Sequence, residues 1–270
     1  MEKYFRLRDI SLFFLTIILL IVLPKNSSLL AQGKNYKRDF FVPEPLNFDL
    51  IRNLGAKKGE IEGNILTTTS KGNATIYSPE IEYAFLDNHA VELEIAMEES
   101  FLKEGKFAYQ WTMGTIGYYQ HGIQTIAKLS KKGNGETYTA LYLSAYKLND
   151  SISFLMMNGF ETFSGKSYQG LNVNIHDRYN LEEPKIPKNV KSNRYLWNGN
   201  LFYDMDETWI FGLEINYRTD FKKESEIVIL PNTKYHLTKH TSFHLGLGLN
   251  QELDNKIYKP IFVIRAIVEF

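Results

Sequence analysis

Glutamates recur in pairs two residues apart, Glu60 with Glu62, Glu80 with Glu82 and Glu92 with Glu94, and Glu98 follows in the same phase. Residues at i and i+2 share one face of a β-strand, so each pair would present its carboxylates side by side. Further along, Lys128, Glu214, Arg218, Lys234, Lys259, Arg265 and Glu269 occupy the polar phase of comparable segments. Spread over so many segments, these residues read as the lining of a lumen, acidic on one wall and mainly basic on the other. Such walls set a transverse field that orients polar solutes. The competing arrangement is mutual pairing inside a narrow, filled interior.

Other chemistries are poorly served. Covalent catalysis needs a hydroxyl beside an imidazole that a carboxylate or amide orients. Ser242 and His244 share a face but in the inward phase, and His121 has no motif-bearing serine near it. No catalytic residue is expected. His236, His240 and His244 are spaced by four, which on a helix would make a metal-ligand face. Here they straddle a turn, so neither a metal site nor a cofactor is expected. Gly246-Leu247-Gly248 lies inside a strand pattern and gives room on a curved wall rather than a phosphate cradle.

The elements that must position these residues are strands. In Ala90–Glu98, Val91, Leu93, Ile95 and Met97 oppose Glu92, Glu94 and Glu98. Thr208–Thr219 and Ser242–Asn250 repeat the scheme, as does the chain's end, where Phe262, Ile264, Ala266, Val268 and Phe270 share a face. Alternation over about ten residues marks a membrane strand with lipid on one side and lumen on the other. Short turns are expected at Asp87–His89, near Tyr118–Tyr119, at Asn149–Asp150, at Asp204–Glu207 and at Thr238–His240. Longer connections are expected at 70–74, 102–106, 132–136, 164–193, 220–224 and 251–256. Pro184, Pro187 and several charges argue against regular strand over His176–Asn193. The count is about twelve strands, with short turns on one side and longer connections on the other.

Before them, residues 1–31 read as a cleaved signal peptide. Lys3, Arg6 and Arg8 precede an apolar run from Leu12 to Leu23, and Pro24 stops it. That run, about 18 Å as helix, is short against a hydrocarbon core of about 30 Å. Residues 32–57 read as a periplasmic lead-in, with a short helix over Pro45–Gly55 that places Phe48, Ile51 and Leu54 together. The alternative is a periplasmic cover or partial plug. Residues 58–270 form the barrel. No cysteine occurs, which excludes a lipid-modified cysteine, disulfides and thiolate metal sites. The chain holds 31 basic and 31 acidic residues. Removing the signal leaves it about two charges negative, and nothing points to nucleic acid.

Tyr83, Tyr146 and Tyr235 each stand just before a tight polar turn with an apolar residue just after it. A ring in lipid with a wet hydroxyl suits the membrane rim, and Phe270 joins these as an interface aromatic. With Pro79–Glu94, Pro231–Asn250 and the terminal Phe270, the chain resembles Gram-negative outer-membrane β-barrel proteins, nearest the transporter-like barrels of the MetA-pathway phenol-degradation family. The resemblance implies an all-β, antiparallel up-and-down transmembrane barrel in the outer membrane. It also implies a C-terminal strand that the barrel assembly machinery reads, and passage of a small polar or amphipathic solute. An adhesin-like surface barrel without conduction is the alternative. The expected partners are outer-membrane lipid, the assembly machinery and a small-molecule solute.

Overall fold

A computed structural model describes residues 41–70, 74–98, 101–130, 135–167, 188–221, 225–253 and 257–270. The strands are β1 (Ile61–Ser70), β2 (Ile76–Leu86), β3 (His89–Glu98), β4 (Phe101–Ile116), β5 (Tyr119–Ser130) and β6 (Gly135–Lys147). They continue as β7 (Ile152–Ser167), β8 (Lys188–Asp204), β9 (Trp209–Thr219), β10 (Ser225–Thr238), β11 (Thr241–Glu252) and β12 (Ile257–Glu269). Every neighbour in sequence pairs antiparallel, and β1 pairs β12 to close the barrel. Among the described strands closure leaves no edge with unpaired backbone groups, the requirement for an all-β structure in lipid.

Alternation sets the faces. On β12, Ile261, Val263, Arg265 and Ile267 point inward and are buried, while Phe262, Val268 and Phe270 are exposed. Ile81, Leu93, Ile95, Phe107, Leu245 and Leu247 extend that apolar outer surface. Aromatic clusters flank it. Near the short turns, His89 stacks on Trp111 and Tyr119 on His121, while Tyr146 lies tilted against Tyr119 and Tyr235 against Trp209. At the opposite end Phe160, Tyr195 and Phe221 touch in series. Tyr83 and Tyr146 are exposed and Tyr235 is half-buried, and all three lie on the outer face.

The five short turns fall where the sequence places them, and Asn88 takes the positive φ of 68° that a two-residue turn asks for. Three differences are the largest. Residues 102–106, expected as a connection, are the start of β4, and Lys188–Asn193, expected as irregular, are the start of β8. Both stretches are polar, yet Ser167 still pairs with Lys188 and Glu104 with Ser130. A strand beyond the apolar belt keeps its ladder without needing apolar side chains. The third difference is Pro45–Gly55, which carries bends and a turn but no helix. Its amides at Leu46, Asn47 and Phe48 bond to the Glu214 carboxylate instead of to carbonyls within the segment. The expected signal peptide and the centre of the 164–193 connection lie outside the described residues.

Candidate functional site: a plugged lumen

Residues 42–56 lie inside the barrel. Leu46 and Ile51 are fully buried, and Val42, Leu50, Leu54 and Ala56 nearly so. The Asn53 amide donates to Glu44 Oε1 at 3.0 Å, clasping the two arms of a hairpin. One arm runs down to the short-turn end, where Asn88 N donates to Ala56 O at 2.7 Å and Lys58 N to Asp87 Oδ1 at 2.8 Å. The tip, Asn47–Asp49, faces the other way. The segment expected as a lead-in below the barrel is therefore a plug within it.

Two kinds of wall receive the plug. Toward β4–β9, Leu50, Ile51 and Leu54 pack on Leu141, Leu143, Leu155, Met157 and Phe202 in one apolar cluster. Leu46 packs separately on Val228, Leu230 and Val263. Small residues make the room: a Cβ on Gly246 would stand 2.6 Å from Leu46 Cδ2, and one on Gly122 would stand 3.1 Å from Leu54 Cδ2. Wall side chains also satisfy the plug backbone, which an irregular buried segment requires. Gln110 exchanges both its amide bonds with the Arg52 backbone at 3.4 and 2.8 Å. Gln124 accepts from Ile51 N at 3.3 Å and donates to Asp49 O at 2.8 Å.

The firmest attachment is Glu214. Its carboxylate accepts three consecutive plug amides, Leu46 at 2.9 Å, Asn47 at 3.0 Å and Phe48 at 2.7 Å. Asn216 and Asn198 hold it from the wall side at 2.9 and 3.4 Å. Successive amides converging on one anion form an anion-binding concavity, here closed by the protein's own carboxylate.

The remaining wall is ionic. Strand register brings Glu62 opposite Glu82 and Glu82 opposite Glu92, with Glu269 continuing the row on β12. One step toward the long connections, Asn64, Glu80, Glu94, Lys106 and Lys128 form a second row. Lys106 bonds Glu92 and Glu94 and lies 2.7 Å from Asp49 and 3.6 Å from Glu80. Arg265 approaches Glu80 at 3.9 Å and Glu44 at 4.0 Å, and Arg52 approaches Glu60 at 3.5 Å, Glu62 at 3.6 Å and Glu82 at 3.9 Å. Acidic and basic groups thus interleave around the plug on this side, where the sequence suggested two opposed walls. Burial alone would raise the Asp49 carboxyl, but Lys106, Lys128 and Arg265 outweigh it and hold it below the ordinary carboxylate range. Burial would lower the Arg52 guanidinium, and Glu44, Glu62 and Glu82 raise it instead. Asp49, Glu92 and Glu94 each bring an oxygen within 4.8 Å of the others. The Lys106 ammonium sits among them, where a metal ion would have to be.

Beyond the tip opens a vestibule of about 270 Å³, floored by Asn47, Phe48 and Asp49 and walled by the long-connection halves of the strands. Among the lining residues expected from sequence, Glu80, Glu94, Lys128, Arg218 and Arg265 border this vestibule, while Lys259 and Glu98 border a small recess at its rim. Glu62, Glu82, Glu92, Glu214 and Lys234 are buried around the plug, and Glu60 is half-buried below it. Sequence reasoning missed Glu44, Asp49, Arg52 and the two glutamines. It also missed the inward apolar run on β6–β7, although both phases of Leu141–Tyr146 are largely apolar, the mark of a strand covered on both faces. His244 and Ser242 are buried inward as expected. His121 lies opposite Ser144 in register, but Ser144 is covered and His121 Nδ1 pairs with the Tyr142 hydroxyl at 3.1 Å.

A family model described as HAEPLYID-like matches residues 41–269, taking in the plug and every strand. Spelled as residues, those eight letters coincide with residues 42–49 at Glu44, Pro45, Leu46 and Asp49. Among solved structures, the KdgM porin in complex with disordered oligogalacturonate aligns with a TM-score of 0.58 at 10% identity, over 77% of this chain and 99% of that one. The NanC porin aligns at 0.56 and 9% identity, over 76% of this chain and 98% of that one. The likeness at these identities is one of fold, the porin-like barrel. No curated protein sequence matches.

Proposed function

The chain belongs to the HAEPLYID-like family, and we propose that it is an outer-membrane channel for small polar or amphipathic solutes, closed by its own N-terminal hairpin. An apolar outer belt between aromatic clusters suits a bilayer and little else. The short turns and the plug's two ends then face the periplasm, and the vestibule faces outward. The C-terminal strand ending at Phe270 serves the barrel assembly machinery.

One observation carries the reading: a separate segment, rather than the wall, fills the bore. Inward positions such as Ala90, Ala108, Gly122, Ala145 and Gly246 are small, and the plug occupies the space they leave. Twelve strands lie between the eight whose side chains fill a barrel and the sixteen or more that leave an open channel. A barrel built to be shut for good would close that space with larger wall residues. The solute path runs from the vestibule through the volume that the plug vacates.

Planar-bilayer recording of the mature chain against a variant lacking residues 41–57 tests this. The variant should conduct steadily and the intact chain rarely. A variant that is folded by circular dichroism and heat-modifiable mobility, yet silent, refutes the channel and favours a surface-interaction barrel.

A further inference from the structure

The acidic row beneath the vestibule is arranged as a receptor. Like charges directly opposite across strands destabilise a sheet, yet Glu62, Glu82 and Glu92 stand in one row. Asn64 donates to Glu62 Oε1 at 3.2 Å and to Glu82 Oε1 at 3.0 Å, so one amide fixes both carboxylates. Their Oε2 atoms are left to face Arg52. Arg52 is a poor fit: its Nη1 stands 3.6 and 3.9 Å from them, beyond the roughly 2.7–2.9 Å of a charge-assisted hydrogen bond. Arg52 Nη1 and Glu82 Oε2 are buried without any hydrogen-bond partner, and Glu82 is fully buried. A guanidinium that neutralises two oriented carboxylates without bonding them fills their place electrostatically and remains displaceable. Glu80 and Glu94 of the neighbouring row, one step nearer the long connections, line the vestibule.

We propose that Glu62 and Glu82, oriented by Asn64, bind the cationic head of the solute, a primary amine or a guanidinium, and that Arg52 holds that site in the closed state as an internal stand-in. The proposal rests on the channel reading for the word solute, not for the site. A cation that takes the two carboxylates strips the buried Arg52 of two of its three carboxylate contacts and leaves it Glu60 at 3.5 Å, so binding favours withdrawal of the plug.

Methylguanidinium chloride against equal sodium chloride, on detergent-folded protein, separates the outcomes. In the unaltered chain it should speed hydrogen exchange of the plug amides by competition, about tenfold at ten times its dissociation constant. In Arg52→Ala it should act with the opposite sign, raising the melting temperature saturably by filling the vacated place. Glu62→Gln/Glu82→Gln in the unaltered chain should abolish the effect. If Arg52→Ala does not fold in either salt, the exchange comparison between the unaltered chain and the double glutamine variant decides alone. Equal responses to the two salts, or a response that survives the double substitution, overturn the site and mark a purely structural ion cluster. A barrel that binds methylguanidinium but never conducts overturns the channel and leaves the site standing.

Discussion

Replacing Glu214 by glutamine probes the latch that fixes the plug's tip. The carboxylate receives Leu46, Asn47 and Phe48 amides at 2.7–3.0 Å. Hydrogen bonds to a charged group contribute about 1.5–3 kcal/mol each, and a buried donor left unpaired costs about 1–3 kcal/mol. Glutamine keeps one acceptor oxygen and turns the other into an NH2 that faces plug amides. One or two of the three bonds are lost, and the net expectation is about 2–4 kcal/mol against docking, or roughly 30- to 700-fold in the docked-to-undocked ratio. Hydrogen exchange at residues 46–48 reads that ratio directly when reclosing is fast, because local opening limits exchange. Strand amides on β1 and β12 should be unchanged. In bilayers the same variant should open more often with the same unit conductance. Exchange at 46–48 within threefold of the unaltered chain, in a folded barrel, would refute the latch and place the docking energy in the apolar cluster.

The Asp49 carboxyl, held below the ordinary carboxylate range chiefly against its own burial by Lys106 and Lys128, gives a pH signature. A depressed folded-state value contributes stability that is present above the unfolded value of about 3.9 and is lost as pH falls through the folded one. Plug protection in the unaltered chain minus that in Asp49→Asn should therefore stay flat from pH 7 to about 4 and shrink below; a difference that declines between pH 7 and 5 contradicts the assignment. Gly55 has φ of 89°, and a Cβ there would lie 2.8 Å from Gln120 Nε2, so Gly55→Ala should cost the plug about 1–2 kcal/mol, seen as faster proteolysis at residues 41–58 with no change in barrel melting. Phe270→Ala should lower the amount of barrel assembled in cells while protein refolded in detergent keeps its melting temperature, since Phe270 is exposed and its backbone bond to Ile61 O at 2.9 Å does not need the ring. An equal loss in both settings would make that ring a structural residue.

Much of the barrel could be read from local pattern. Alternation in Ala90–Glu98 and Phe262–Phe270 fixed which face met lipid, and the turn residues at Asp87–Asn88 and Lys239–His240 fixed where strands reversed. Polar strand ends such as Lys103–Lys106 and Lys188–Asn193 escaped, because above the apolar belt the pattern that identifies a strand disappears while its ladder persists.

The plug could not be read in the same way. Phe48, Ile51 and Leu54 have helical spacing, and the local signal was an amphipathic helix. What decides otherwise is distant: the plug's amides are taken by Glu214, 168, 167 and 166 residues away, and by Gln124 and Gln110, 73 and 58 residues away. The sequence by itself determined a closed, two-faced wall, since strand alternation is a property of neighbouring residues. Only the tertiary structure decided what fills it, and that Lys106 and Arg52 sit among the glutamates rather than across from them. Those positions follow from how twelve strands are staggered around the bore, and from backbone donors that, once out of water, had to find partners on the wall.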